Sequence, residues 1–175
     1  MTARCLLTAA VTACLAAMPA AAWAKGEVVR IKRNPSALIL DAARVNAGAD
    51  MLYVSGQLAS PLDAGTPMSA VDSLDDMGDT RAQTISALGK IRDILATQGF
   101  AMRDVVKLTL FVAADPRTGA MDFAGVNDGF RTFFGTPESP ETVARSTFQV
   151  AALVGPYYLI EIEAIAARAP SGPES

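Results

Sequence analysis

Histidine is absent from this chain of 175 residues. That excludes Ser-His-Asp and Cys-His arrangements and removes imidazole as a general base. Cysteine is nearly absent too: Cys5 and Cys14 both lie close to the amino terminus. The rest of the chain therefore offers none of the usual nitrogen and sulfur ligands of zinc. Aromatic residues make up 6% of the chain and the formal net charge is −3. Such a balance provides no basic surface for a nucleic acid. Any chemistry must rest on Arg, Lys, Asp, Glu, Tyr, Ser, Thr and backbone groups, without metal or cofactor.

What is present begins with a leader. "MTARCLLTAAVTACLAAMPAAAWA" carries one basic residue, Arg4, then an Ala-rich apolar run that ends in Ala22-Trp23-Ala24. This pattern reads as a signal peptide over residues 1–24, with export to the periplasm or medium. A membrane anchor fits less well, because few large apolar residues follow Leu15 and Pro19 interrupts the run. Lipidation at Cys14, after "VTA", is the alternative to cleavage after Ala24. Cleavage leaves 175 − 24 = 151 residues, enough for one core. The domain is expected over 25–168, with residues 169–175 a disordered tail. Both cysteines leave with the leader, so packing alone, or packing plus oligomerisation, must hold the fold.

Within the domain, "EVVRIK", "SALILDAARV" and "DMLYVSGQ" read as extended segments. Residues 57–78 are rich in Gly, Pro, Ser and Asp and read as a long loop. A helix is expected from the N-cap Asp79 to about Gln98, with Leu88, Ile91 and Leu95 as its apolar stripe and Gly99 as its stop. "VVKLTLFV" alternates, with Val106, Leu108, Leu110 and Val112 on one face. A second helix is expected from about Ala120 to Phe134, with Phe123, Val126, Phe130 and Phe133 packing on the core. "RSTFQVAAL" and "YYLIEIEAIAA" close the domain as strands. The order predicts an α+β fold with two helices on one face of a sheet.

The last strand contains charge where burial is expected. Alternation puts Ile160, Ile162 and Ala164 on the helix side, and Leu159, Glu161, Glu163 and Ile165 on the other. Val105 and Phe111 join that second face. A face mixing apolar groups with carboxylates reads as a subunit interface. Arg145 and the glutamates are then either an interfacial ion pair or a site.

The combination of "YVSGQ", "TISALGKIRDILATQG", "FAGVNDGFRTFF", "ARSTFQVA" and "IEIEAIA" resembles the Rid (YjgF) family of reactive-intermediate imine deaminases. The resemblance covers about residues 36–167. It implies a chorismate-mutase-like fold and a homotrimer whose sheets form a central barrel, with sites between subunits. It implies hydrolysis of 2-imino acids to 2-oxo acids and ammonia, with Arg145 holding the substrate carboxylate and Glu161, expected on the adjacent strand, handling water and protons. Asn127, Ser55 and Thr147 fall on the other substrate-binding positions. Thr147 stands where many members carry Cys, and Leu40 about where a site tyrosine is expected. The connection "LVGPYYLI" is one residue longer than usual. These departures leave open a non-catalytic trimer that binds small carboxylates. Endoribonuclease action, a label carried by some relatives, fits poorly with an acidic chain lacking histidine.

Overall fold

A computed structural model describes residues 25–170. The leader over residues 1–24, with its alternatives at Ala24 and Cys14, lies outside the described residues, as do residues 171–175 of the tail.

Strands β1 (Val28–Ile31) and β2 (Ala42–Val45) pair as a small antiparallel ribbon. Strands β3 (Asp50–Leu58), β4 (Val105–Ala113), β5 (Ala144–Val150) and β6 (Ile160–Arg168) form the main sheet, in the order β3-β6-β4-β5. β5 runs parallel to β4, and the other pairings are antiparallel. Helices α1 (Thr80–Thr97) and α2 (Phe123–Arg131) cover one face of this sheet and pack on each other. The α+β class and the position of both helices agree with the sequence.

Local chemistry explains the helix ends. The Asp79 carboxylate accepts the Ala82 N–H at 2.8 Å, filling one of the donors that a helix start leaves open. Gly99 takes φ +70° directly after the helix, a conformation that costs glycine little. Leu88, Ile91 and Leu95 are fully buried, as their spacing predicts. α2 is shorter than its apolar pattern suggests. Asp122, not a residue near Ala120, caps it by accepting the Gly125 N–H at 2.8 Å. A Cβ on Gly129 would lie 2.7 Å from Thr84 Cβ, so the two helices approach as closely as they do because that position has no side chain.

Four expectations need correction. "SALILDAARV" is extended only over Ala42–Val45, with Leu40 adding an isolated bridge to Ala144. Val105 belongs to the core and not to the mixed face, because a bulge between Val105 and Lys107 shifts the register and reverses its side. Leu159 precedes β6 and is buried, its N–H bonded to Gln83 Oε1 of α1 at 2.8 Å. Phe123 is 45% exposed, and Phe134 packs in the core and stacks on Phe130 with centroids 4.7 Å apart. The segment 57–78 is a loop apart from its first residues, which complete β3, and a single 3-10 turn at Met68–Ala70. Leu74 and Met77 anchor it inside.

Candidate active site

Arg145 lies near the start of β5, opposite Leu108 of β4. Leu108 belongs to the core, and cross-strand partners share a face, so Arg145 points to the helix side. There its Nη2 donates to Asn127 Oδ1 at 2.7 Å. Its guanidinium carbon sits 4.7 Å from the Phe130 ring centroid and 5.7 Å from that of Phe123. One turn of α2 thus supplies Asn127 and Phe130 together, at the i, i+3 spacing that aligns side chains on a helix. Aromatic faces and one amide fix the plane of the guanidinium.

The remaining Arg145 valences are unusual. Nη1 is buried and has no hydrogen-bond partner, and neither has Thr147 Oγ1, two residues along the same strand face. Among the described residues no carboxylate forms an ion pair with Arg145. Burial lowers its pKa from the ordinary arginine value, and the neighbouring charge of Arg131 acts in the same direction. Among the described residues, then, no ion pair accounts for this arginine. Leu40, almost fully buried, donates its N–H to Val143 O at 3.0 Å and bridges to Ala144, the residue before Arg145. It has no polar side-chain atom to offer.

Glu161 lies elsewhere. It pairs with Phe111 of β4, between the core residues Ile160 and Ile162, and so faces away from the helices. β4 stands between its strand and that of Arg145, so the expectation of adjacent strands is incorrect. Topology, which sequence periodicity does not encode, put β6 in the middle of the sheet. Arg145 and Glu161 of one chain thus lie on opposite faces and cannot touch one substrate. The predicted residues form two groups: Arg145, Asn127 and Thr147 on the helix side, and Glu161 with Ser55 on the other.

Glu161 rests on the bulge of β3. A Cβ on Gly56 would fall 1.9 Å from Glu161 Oε1 and 2.7 Å from its carboxyl carbon, so only glycine admits the side chain in this position. Ser55, which precedes Gly56 in the chain, is exposed and lines a cavity of about 250 Å³ with Tyr53, Lys107, Thr109 and Glu163. Lys107 Nζ donates to Ser146 Oγ at 2.6 Å. The same face exposes Tyr53 (72%) and Phe148, whose ring meets Phe111 edge to face at 5.3 Å. Sequence reasoning missed Gly56 as a seat for the carboxylate, although it stands in "SGQ". It also missed Phe130 as a platform for the arginine, having placed it only in the core.

The α+β domain thus carries a desolvated arginine on its helix side and a carboxylate seated on a glycine bulge on the opposite face. A family model described as Endoribonuclease L-PSP matches residues 41–168. The 2-iminobutanoate/2-iminopropanoate deaminase of Salmonella typhimurium is 36% identical over 118 residues, covering 67% of this chain and 80% of that protein. A Rid-family protein of Yersinia pestis has the same fold, with a TM-score of 0.58 at 24% identity, over 79% of this chain and 97% of that one. The structure of Escherichia coli TdcF with bound serine matches at a TM-score of 0.50 and 29% identity, over 70% of this chain and 87% of that chain. The chain belongs to the Rid (YjgF) family.

Proposed function

We propose that this protein is an exported imine deaminase acting as a homotrimer, with each active site built by two copies. The observation that carries this reading is the buried Arg145 Nη1, unpartnered beside the unpartnered Thr147 hydroxyl. A substrate carboxylate would satisfy both. The naming of relatives as imine deaminases supports the reaction, and bound serine in TdcF supports an amino-acid-sized ligand. Because Glu161 faces away from its own Arg145, the carboxylate of one copy would have to meet the arginine of another. The exposed apolar groups on the Glu161 face favour such a contact, and the family resemblance favours three copies.

The chemistry then follows. Arg145 and Thr147 bind the carboxylate of a 2-imino acid, with Asn127 keeping the guanidinium in its plane. Glu161 of the neighbouring copy, with Ser55 on the same face, holds a water against the imine carbon. Glu161 accepts a proton as the water adds to the protonated C=N bond, giving a carbinolamine. Returning that proton to nitrogen makes ammonia the leaving group; as the C–N bond breaks, the carbinolamine hydroxyl gives its proton back to Glu161, and the products are a 2-oxo acid and ammonia. These steps require no metal or cofactor.

A second reading has its own support. Leu40 stands about where the family resemblance expects a site tyrosine and has no hydroxyl to offer, which favours a trimer that binds small carboxylates without turning them over. Ammonia release from imino acids generated in situ by an amino-acid oxidase separates the two. Release above the spontaneous rate supports the enzyme. Binding of a 2-oxo acid without release supports the binding module.

A further inference from the structure

The sequence singles out the connection between β5 and β6 as long, and the structure gives it a wall to build. On the face that carries Glu161, a cavity of about 330 Å³ is lined by Phe111, Val150, Ala152, Leu153, Val154 and Glu161. Apart from Glu161, each of these side chains is apolar. Glu163 closes the same space with a second carboxylate. Val154 is 79% exposed at the rim, and it also borders a neighbouring cavity of about 430 Å³ that includes Pro116 and Tyr158. The connection is therefore a partition of apolar groups standing beside the candidate catalytic carboxylate.

It is also held firmly. Gln83 of α1 is fully buried and donates through Nε2 to Tyr157 O at 2.9 Å and to Gly78 O at 3.2 Å. Its Oε1 accepts the Leu159 N–H at 2.8 Å. One amide thus fixes the carboxyl-terminal end of the connection against the helix layer.

We infer that this cavity receives the substrate side chain, and that the protein prefers 2-imino acids with bulky, uncharged apolar side chains. The inference rests on the imine deaminase reading. Its size lies in the range of small-ligand sites, which begins at roughly 300 Å³. Its lining rewards branched or aromatic groups by burying them, and the carboxylates of Glu161 and Glu163 repel an acidic side chain. A methyl group, as in 2-iminopropanoate, leaves the cavity unfilled. Val154 is the specificity-determining residue, since it can be changed without touching the core.

The test compares imines generated in situ from leucine, phenylalanine, alanine and glutamate, with kcat/KM measured for the parent and for Val154→Asp. The expected order has the leucine- and phenylalanine-derived imines about ten-fold or more above the alanine-derived one, with the glutamate-derived imine last, since one or a few methylenes in an apolar pocket decide that much. Val154→Asp should lower kcat/KM for the two bulky substrates about ten-fold more than for the alanine-derived imine. A parent that hydrolyses the alanine- or glutamate-derived imine best overturns the inference and leaves the deaminase reading intact. So does a Val154→Asp variant that slows all four substrates equally. A parent inactive on all four overturns the deaminase reading, and this inference with it.

Discussion

Replacing Arg145 by lysine keeps the charge and removes the fork. In the parent, Asn127 and Phe130 hold the guanidinium, while Nη1 is buried without a partner. A lysine ammonium cannot reach both the Asn127 amide and a carboxylate in one plane. Losing one charge-assisted hydrogen bond costs about 1.5–3 kcal/mol. That corresponds to a drop of roughly 10- to 150-fold in kcat/KM, with each factor of ten worth about 1.4 kcal/mol. Stability should respond differently. If Arg145 were half of a buried ion pair, removing it would cost about 3–5 kcal/mol. At about 2–4 °C per kcal/mol for a chain of this size, the melting temperature would fall by roughly 6–20 °C. Arg145 is instead desolvated with no carboxylate paired to it among the described residues. Arg145→Met should therefore leave the melting temperature within about 4 °C, the relief of burying a cation offsetting the lost Asn127 bond. The assays are imine hydrolysis and thermal melting, run on parent, Arg145→Lys and Arg145→Met. A large fall in melting temperature with hydrolysis by Arg145→Lys unchanged would refute the reasoning and make the arginine a structural element.

Further outcomes concern other residues. Glu161→Gln should lower turnover by about 10²–10⁴-fold with assembly intact, and Glu163→Gln should change it far less; equal losses in both would show that the wrong glutamate was assigned. Gly56→Ala should displace the Glu161 carboxylate and lower turnover by about 10²-fold, as a misplacement near 1 Å does, while the fold survives in circular dichroism. The Arg117 guanidinium, 2.6 Å from Asp115, holds that carboxyl below its ordinary pKa, so the contribution is complete above about pH 4 and is lost as pH falls through the lowered value. The gap in stability between parent and Asp115→Asn should accordingly be constant near neutral pH and shrink in acid; an unchanged gap at pH 3 would contradict it. N-terminal sequencing of the protein made in an export-competent bacterium should begin at Lys25, and an intact Met1 or a lipidated Cys14 would remove the export reading.

Local order was legible because it is written locally. Asp79, the stripe of Leu88, Ile91 and Leu95, and Gly99 specify α1 by themselves, and alternation in "LTLFV" and "IEIEA" specifies the central strands. The exceptions each have a physical cause. The bulge at Val105 inverts one side chain, which a period of two cannot anticipate. Asp122 shortens α2, because a good cap outweighs an apolar pattern that continues past it. Arg145, Glu161, Asn127, Ser55 and Thr147 were named from the sequence, but Gly56 and Phe130 were not assigned their roles and the arrangement was not foreseen. Insertion of β4 between β5 and β6, together with a register that turns the two side chains to opposite faces, separates Arg145 from Glu161. It also makes the division of the site between copies a structural inference and not only a family expectation.

The most direct test of that division is complementation between two inactive variants. Arg145→Met keeps Glu161, and Glu161→Gln keeps Arg145. Each alone should be inactive as a homotrimer. Refolding them together in equal amounts yields mixed rings, and every mixed trimer contains one boundary where an intact arginine meets an intact glutamate. Random assembly then restores about one quarter of the parent activity, since about three quarters of trimers are mixed and each has one good site in three. Recovery near that level is the predicted result. Activity of the mixture no greater than the sum of the separate variants would contradict an active site shared between subunits.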